Sequence, residues 1–171
     1  DAVEDLAGYQ VFYPRLLLSV TEEGTRVSGN QVTPNLFSVL GVAPAMGRGF
    51  RWDEAVDGGP EVVVLSHAFW QGKMGADPSI VGRTLSLDGR PTEVVGVMPE
   101  GFEFPSSGVE LWLPTREGEG ATQGRGNNNF FAIGRLEDGV SLAAAQAQVD
   151  VVAKGIQAAN PDYAEWYHWL Q

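Results

Sequence analysis

Four consecutive apolar residues, Val62-Val63-Val64-Leu65, set the strictest limit on how this chain can fold. A strand with one face in water alternates apolar and polar residues. A continuous apolar run instead calls for cover on both faces. Ser66 follows at once, with a hydroxyl suited to accept an unpaired amide at a helix start. The pattern predicts a doubly covered strand feeding a helix from Ser66 to about Met74, with Phe69 and Trp70 toward the core.

The rest of the chain can be placed around that unit. Leu16 to Val20 reads as a strand, and Thr25 to Val32 as its hairpin partner across Glu23-Gly24. Thr33-Pro34 has the chemistry of a helix start, with Thr33 as N-cap and Pro34 in the first turn. Leu36, Phe37 and Leu40 then share one face, and Gly41 suits a left-handed C-terminal residue. Thr84 to Leu87 alternates, Asp88-Gly89 is a tight-turn pair, and Thr92 to Met98 is the return strand. Val109 to Leu113 is a short apolar piece, and Phe130 to Leu136 is a further strand. Ser141 caps the longest helix, running to about Ala159 ahead of Asn160-Pro161. Its stripe of Leu142, Ala145, Val149, Val152 and Ile156 predicts one packed side and one wet side. Asp1 to Gly8 is read as a short helix end, and 116–129, rich in glycine, as a surface loop.

This order of strands and helices predicts an α/β (α+β) fold. Its mixed sheet would be built from strand-helix units with a β-rich subdomain inserted. The expected division is 1–60 plus 128–171 for the α/β part and 61–127 for the insertion.

Charge narrows the function. The chain has 22 acidic and 11 basic residues, a net charge of −11, and no two basic residues are adjacent. Phosphate backbones are held by clustered Lys and Arg, so nucleic acid is not an expected partner. With no cysteine, thiolate chemistry and disulfide scaffolds are excluded. No stretch approaches the roughly 20 apolar residues of a membrane span. The chain opens at Asp1, which suggests a fragment of a longer polypeptide.

Candidate chemistry is sparse. Ser66-His67 are neighbours, a poor arrangement for a nucleophile and its base, and Gly-x-Ser-x-Gly is absent; a helix cap is the better account. His67 and His168 are the only histidines and have no metal-ligand spacing. Asp53, Glu54 and Asp57 could share a cation but read more naturally as a solvated acidic turn. Gly47-Arg48-Gly49-Phe50 and Gly124-Arg125-Gly126-Asn127 lack the phosphate-loop signature, so turn chemistry is expected there. Trp166, Tyr167 and Trp169 cluster beside His168 and suggest core or interface packing. No catalytic, cofactor-binding or metal residue is assigned.

Several ordered blocks resemble a known family. They are Val32 to Val42, Pro44 to Phe50, Val63 to Gln71, Gly75 to Leu85, Val94 to Pro99, Gly101-Phe102, Leu111 to Pro114 and Gly139 to Gln146. Together, over about Thr25 to Asn160, they resemble the extracytoplasmic core domain of MacB-type ABC transporter permeases with FtsX-like transmembrane segments. Asp1 to Glu23 and Pro161 to Gln171 match only loosely. The resemblance implies a two-part, non-enzymatic domain on the periplasmic side of the inner membrane. That domain would transmit conformational change and touch partners during export. Implied partners are its own flanking transmembrane helices, a second permease copy, a cytoplasmic ATPase, and a periplasmic partner or exported substrate. No cofactor is implied. The alternatives are a free-standing extracellular binding or adhesion module, using 116–129 or the C-terminal aromatics, and a hydrolase using Ser66 or a carboxylate pair such as one including Asp53.

Overall fold

The computed structural model describes residues 2–10, 15–19, 24–116 and 130–159. In chain order the strands are β1 (Val3–Gln10), β2 (Arg15–Ser19), β3 (Thr25–Val32), β4 (Met46–Gly47), β5 (Val62–Leu65), β6 (Thr84–Leu87), β7 (Arg90–Val97), β8 (Leu111–Pro114) and β9 (Phe130–Leu136). The helices are α1 (Leu36–Val39), α2 (His67–Lys73) and α3 (Leu142–Ala159), with a 3-10 turn at Trp52–Glu54. The strands form one mixed sheet in the order β2-β6-β7-β5-β8-β3-β1-β9, with β4 added on β7. The fold is of the α+β class.

A further pairing, β2 with β3, closes six of these strands into a barrel. Around the ring, β7–β5 and β8–β3 are parallel and the other pairs antiparallel. Strand alternation explains the barrel's interior. Leu18, Val27, Val63, Leu65, Leu87, Val94, Val97 and Leu111 are buried together, with Leu16, Leu85 and Leu113 packed against them. Gly29 of β3 leaves the space these leucines need, since a Cβ there would lie 2.9 Å from Leu16 and 3.0 Å from Leu111. Phe69 of α2 and Ile80 plug one end. Strands from both expected parts share this barrel, because β2 and β3 lie within 1–60 and β5 to β8 within 61–127.

The barrel's outer wall builds a second core. Val62 and Val64 of β5 point opposite to Val63 and Leu65, and join Val32, Val95 and Trp112 beneath α1. Around the fully buried Trp112, Phe37 and Phe102 pack at centroid distances of 5.8 and 5.5 Å. Its indole N–H donates to the Phe104 carbonyl at 3.0 Å, so the ring is buried without an orphan donor. All four β5 residues are buried, as the apolar run predicts. Between Val63 and Val64 the register on β7 slips by one, so Val94 and Val97 both reach the barrel interior while Val95 joins the outer core.

The β2–β3 and β6–β7 hairpins, α2 and α3 form where the sequence places them. Asp88 and Gly89 have φ of 50° and 77°, the two positive values a tight hairpin turn needs. Other expectations are corrected. Residues near the N-terminus form β1, not a helix end, because the β9 ladder from Val3↔Leu136 to Gln10↔Phe130 satisfies their backbone. The start of α1 is Asn35 rather than Thr33. The Thr33 hydroxyl is engaged elsewhere, accepting the Gly8 N–H of β1 at 2.9 Å and donating to the Asn35 side chain. The helix ends on Gly41 at φ 71°, with Gly41 N–H on the Ser38 carbonyl and Val42 N–H on the Phe37 carbonyl.

Helix α3 departs most from expectation. Ala145 is its single buried residue, while Leu142 is 77% exposed and Val149, Val152 and Ile156 are 45%, 56% and 44% exposed. The stripe exists but is not covered by the described residues.

Close backbone approach gives opposite expectations for two glycines. At Gly96 on β7 a Cβ would lie 2.4 Å from the Arg48 carbonyl oxygen, whereas at Gly155 in α3 it would meet nothing within 4 Å. Gly96→Ala should therefore lower folding stability by about 2–3 kcal/mol, because backbone must move. Gly155→Ala should leave it unchanged or raise it by up to about 1 kcal/mol through helix propensity. Denaturant unfolding of the two variants checks both signs.

Candidate functional site

Among the described residues, one end of the closed barrel is plugged and the other is open. The ends of β5, β6, β7 and β8 that carry Glu61, Leu87, Arg90 and Pro114 gather at the open mouth around a cavity of about 370 Å³. Leu16, Leu87 and Leu113 give it an apolar floor continuous with the barrel interior, and Gln31, Glu61, Asp88, Arg90, Thr92 and Arg116 make its polar wall. Glu61 is the hub. Its two carboxylate oxygens meet Arg90 at 3.3 Å and Arg116 at 3.2 Å. Arg116 is locked by further hydrogen bonds to the Gly59 and Pro60 carbonyls, each 2.9 Å. The Arg90 side chain is 71% exposed, and its guanidinium has no other partner among the described residues.

The plugged end is held by Glu110. Its carboxylate accepts the Ser28 N–H at 2.8 Å and pairs with Lys73 of α2 at 2.9 Å. Ser66 sits here too, 6% exposed, and its Oγ accepts the Phe69 N–H at 3.2 Å as the helix cap the sequence suggests. His67 lies with its ring edge toward Trp70, 5.2 Å between centroids. Neither residue faces the open mouth.

The acidic turn is only partly as expected. Asp53 and Asp57 are exposed, but Glu54 is 3% exposed and points inward, which corrects the reading of a solvated turn. Both its oxygens meet the Arg48 guanidinium, one at 3.0 Å, and it also accepts the Arg51 N–H at 2.8 Å. A fork-on-fork pair of this kind fixes orientation as well as charge. Gly47-Arg48-Gly49 is accordingly a structural crossing: at Gly47, φ is 71° and a Cβ would lie 2.2 Å from the Val95 carbonyl oxygen. Gly124 to Asn127, Trp166, Tyr167, His168 and Trp169 lie outside the described residues. Among the described residues, no group of three or more His, Asp or Glu side chains is placed to hold a metal ion.

A third surface is apolar. Strand β9 ends the sheet among the described residues, with Phe130 and Phe131 44% and 54% exposed, and α3 follows it with the uncovered stripe. Leu6 on the adjacent β1 is 58% exposed. Scattered exposed apolar residues need no explanation, but the stripe of α3 is a continuous helix face that no described residue covers. The helix period predicts the stripe. The mouth has no such signal, because its residues come from distant segments.

Burial opposes ionisation of Glu54, but the hydrogen bonds from Arg48 and Arg51 outweigh it and hold the carboxyl below its ordinary value. A lowered folded value means the stabilisation is complete above about pH 4.3, the unfolded value, and is lost as pH falls through the folded one. Acid titration of stability should show this loss. Glu54→Gln should weaken its acid slope and cost about 2 kcal/mol at neutral pH.

The family described as MacB-like periplasmic core domain matches residues 1–152, including the N-terminal segment where the resemblance was loose. No curated protein sequence matches the chain. The fold is similar to that of the periplasmic region of MacB from Actinobacillus actinomycetemcomitans, at a TM-score of 0.65 and 15% identity over 94% of this chain and 69% of that one. It is also similar to a domain of a permease protein from Porphyromonas gingivalis, at a TM-score of 0.67 and 19% identity over 95% and 73% of the two chains. The extracellular domain of the noncanonic ABC-type transporter YknZ from Gram-positive bacteria gives a TM-score of 0.56 and 20% identity over 81% and 68%. No helix among the described residues is long and apolar enough to cross a membrane.

Proposed function

We propose that this chain, which belongs to the MacB-like periplasmic core domain family, is the extracytoplasmic part of an ABC transporter permease that passes conformational change to partners during export. The family match over most of the chain carries this reading. The uncovered apolar stripe of α3 is consistent with it, since a domain that relays motion has to touch what it moves.

In this reading the domain stands on the periplasmic side of the inner membrane, between transmembrane helices of the same permease. A second permease copy, a cytoplasmic ATPase and a periplasmic partner or exported substrate complete the assembly. The domain supplies contacts rather than catalysis. We place its two functional parts on the two cores: the barrel on one side, and β1, β9 and α1 on the other, with α3 continuing from β9. This differs from the expected division, 1–60 plus 128–171 against 61–127, in moving β2 and β3 to the β-rich part. An adhesion module would use the same apolar surface but would not depend on ATP hydrolysis.

Val149→Asp with Val152→Asp on α3 provides the test, because both positions are exposed and the substitutions should change the domain's own stability by only about 0.5 kcal/mol. In the full permease the pair should reduce ATP-dependent export at least about tenfold while the purified domain melts as before. Unchanged export would remove the contact role of this surface. Polar sequence on both sides of the domain in the full polypeptide, instead of spans of about 20 apolar residues, would remove the permease reading.

A further inference from the structure

We infer that the open mouth of the barrel is a binding site for a small monocarboxylate with an apolar body. This inference does not rest on the transport reading.

The cavity of about 370 Å³ falls within the range of roughly 300–1,000 Å³ typical of small-molecule sites, and barrel mouths are a recurrent place for them. Its floor is leucine from three different strands, Leu16, Leu87 and Leu113, so apolar atoms entering it leave water. The charged groups of its wall are Glu61, Asp88, Arg90 and Arg116.

The two rim arginines are not equivalent. Arg116 is committed to Glu61 and to the Gly59 and Pro60 carbonyls, and serves to shape the mouth. Arg90 meets Glu61 through one nitrogen at 3.3 Å, and its remaining N–H donors have no partner among the described residues. A guanidinium with an open fork recognises a planar two-oxygen acceptor, which is carboxylate geometry. The rim holds two guanidiniums and the carboxylates of Glu61 and Asp88, so its formal charge cancels. A single negative charge can be accommodated there. A dianionic phosphate would face both carboxylates within a chain of net charge −11. Glu61 now occupies Arg90 much as the ligand's carboxylate would, which makes it an internal competitor.

The test is an NMR titration of methyl-labelled protein with n-hexanoate, and separately with N-acetyl-leucine, against n-hexylamine as control. The two acids distinguish a simple acyl chain from a peptide-like terminus, and binding of either supports the site. Leu16, Leu87 and Leu113 methyls should shift with the acid and not with the amine. Arg90→Gln, at an exposed position, should weaken binding about tenfold, the loss of one charge-assisted hydrogen-bonding group. Glu61→Gln should tighten it by removing the competitor. Backbone spectra of both variants establish that they are folded, and Arg90→Lys, which keeps charge without the fork, should recover only part of the affinity. The site is overturned by absence of shifts up to on the order of 10 mM acid, a weak limit on this scale. Equal shifts with the amine, or affinity unchanged in Arg90→Gln, overturn it equally.

Discussion

Strand β5 divides its side chains between two cores, and both cores depend on that division. Val63 and Leu65 enter the barrel while Val62 and Val64 line the layer beneath α1. Full burial of each such side chain contributes about 1.5–3 kcal/mol. A polar residue at any of the four positions would reach one apolar interior or the other. The neighbouring strands keep the same two-sided order. On β7 they do so only because of the register slip at Val63/Val64, which returns Val97 to the barrel side after Val95 has left it.

Polar interactions lie at the edges of this frame. Arg48 with Glu54 fastens the segment that crosses β7 through β4, where glycines at 47 and 96 allow two backbones to touch. Glu110 ties α2 and β3 to the plugged end, and Glu61 ties β5, β7 and Arg116 at the open one. Glu110 and Glu61 therefore join segments that are distant in sequence, whereas Glu54 closes a local turn.

Much of this could be read from residue order. The apolar run of β5, the Asp88-Gly89 hairpin, the Ser66 cap and the Gly41 stop are local signals, and local chemistry decides them. Residues 3 to 10 carried no such signal, since Val3-Glu4-Asp5-Leu6 neither alternates nor caps a helix. Their strand is imposed by β9, more than 100 positions away. Barrel closure is non-local in the same way, and so is the mouth, which draws on residues from Leu16 to Arg116. Glu54 shows a different limit: three acidic residues in a turn look alike in sequence, and only the position of Arg48 draws one of them inside. Helix α3 shows the limit of periodicity, which reports that a face seeks cover and is silent about what covers it.

Strand β3 has a consequence of its own. Its first residues pair with β2 and Gly29 to Val32 pair with β8, both neighbours in the barrel ring, while Val32 also meets Tyr9 of β1. One unbroken stave of eight residues thus runs from the barrel wall into the outer layer, with no linker between them. Along it the barrel and the outer layer share a single backbone, flanked by ladders to β2 and β8.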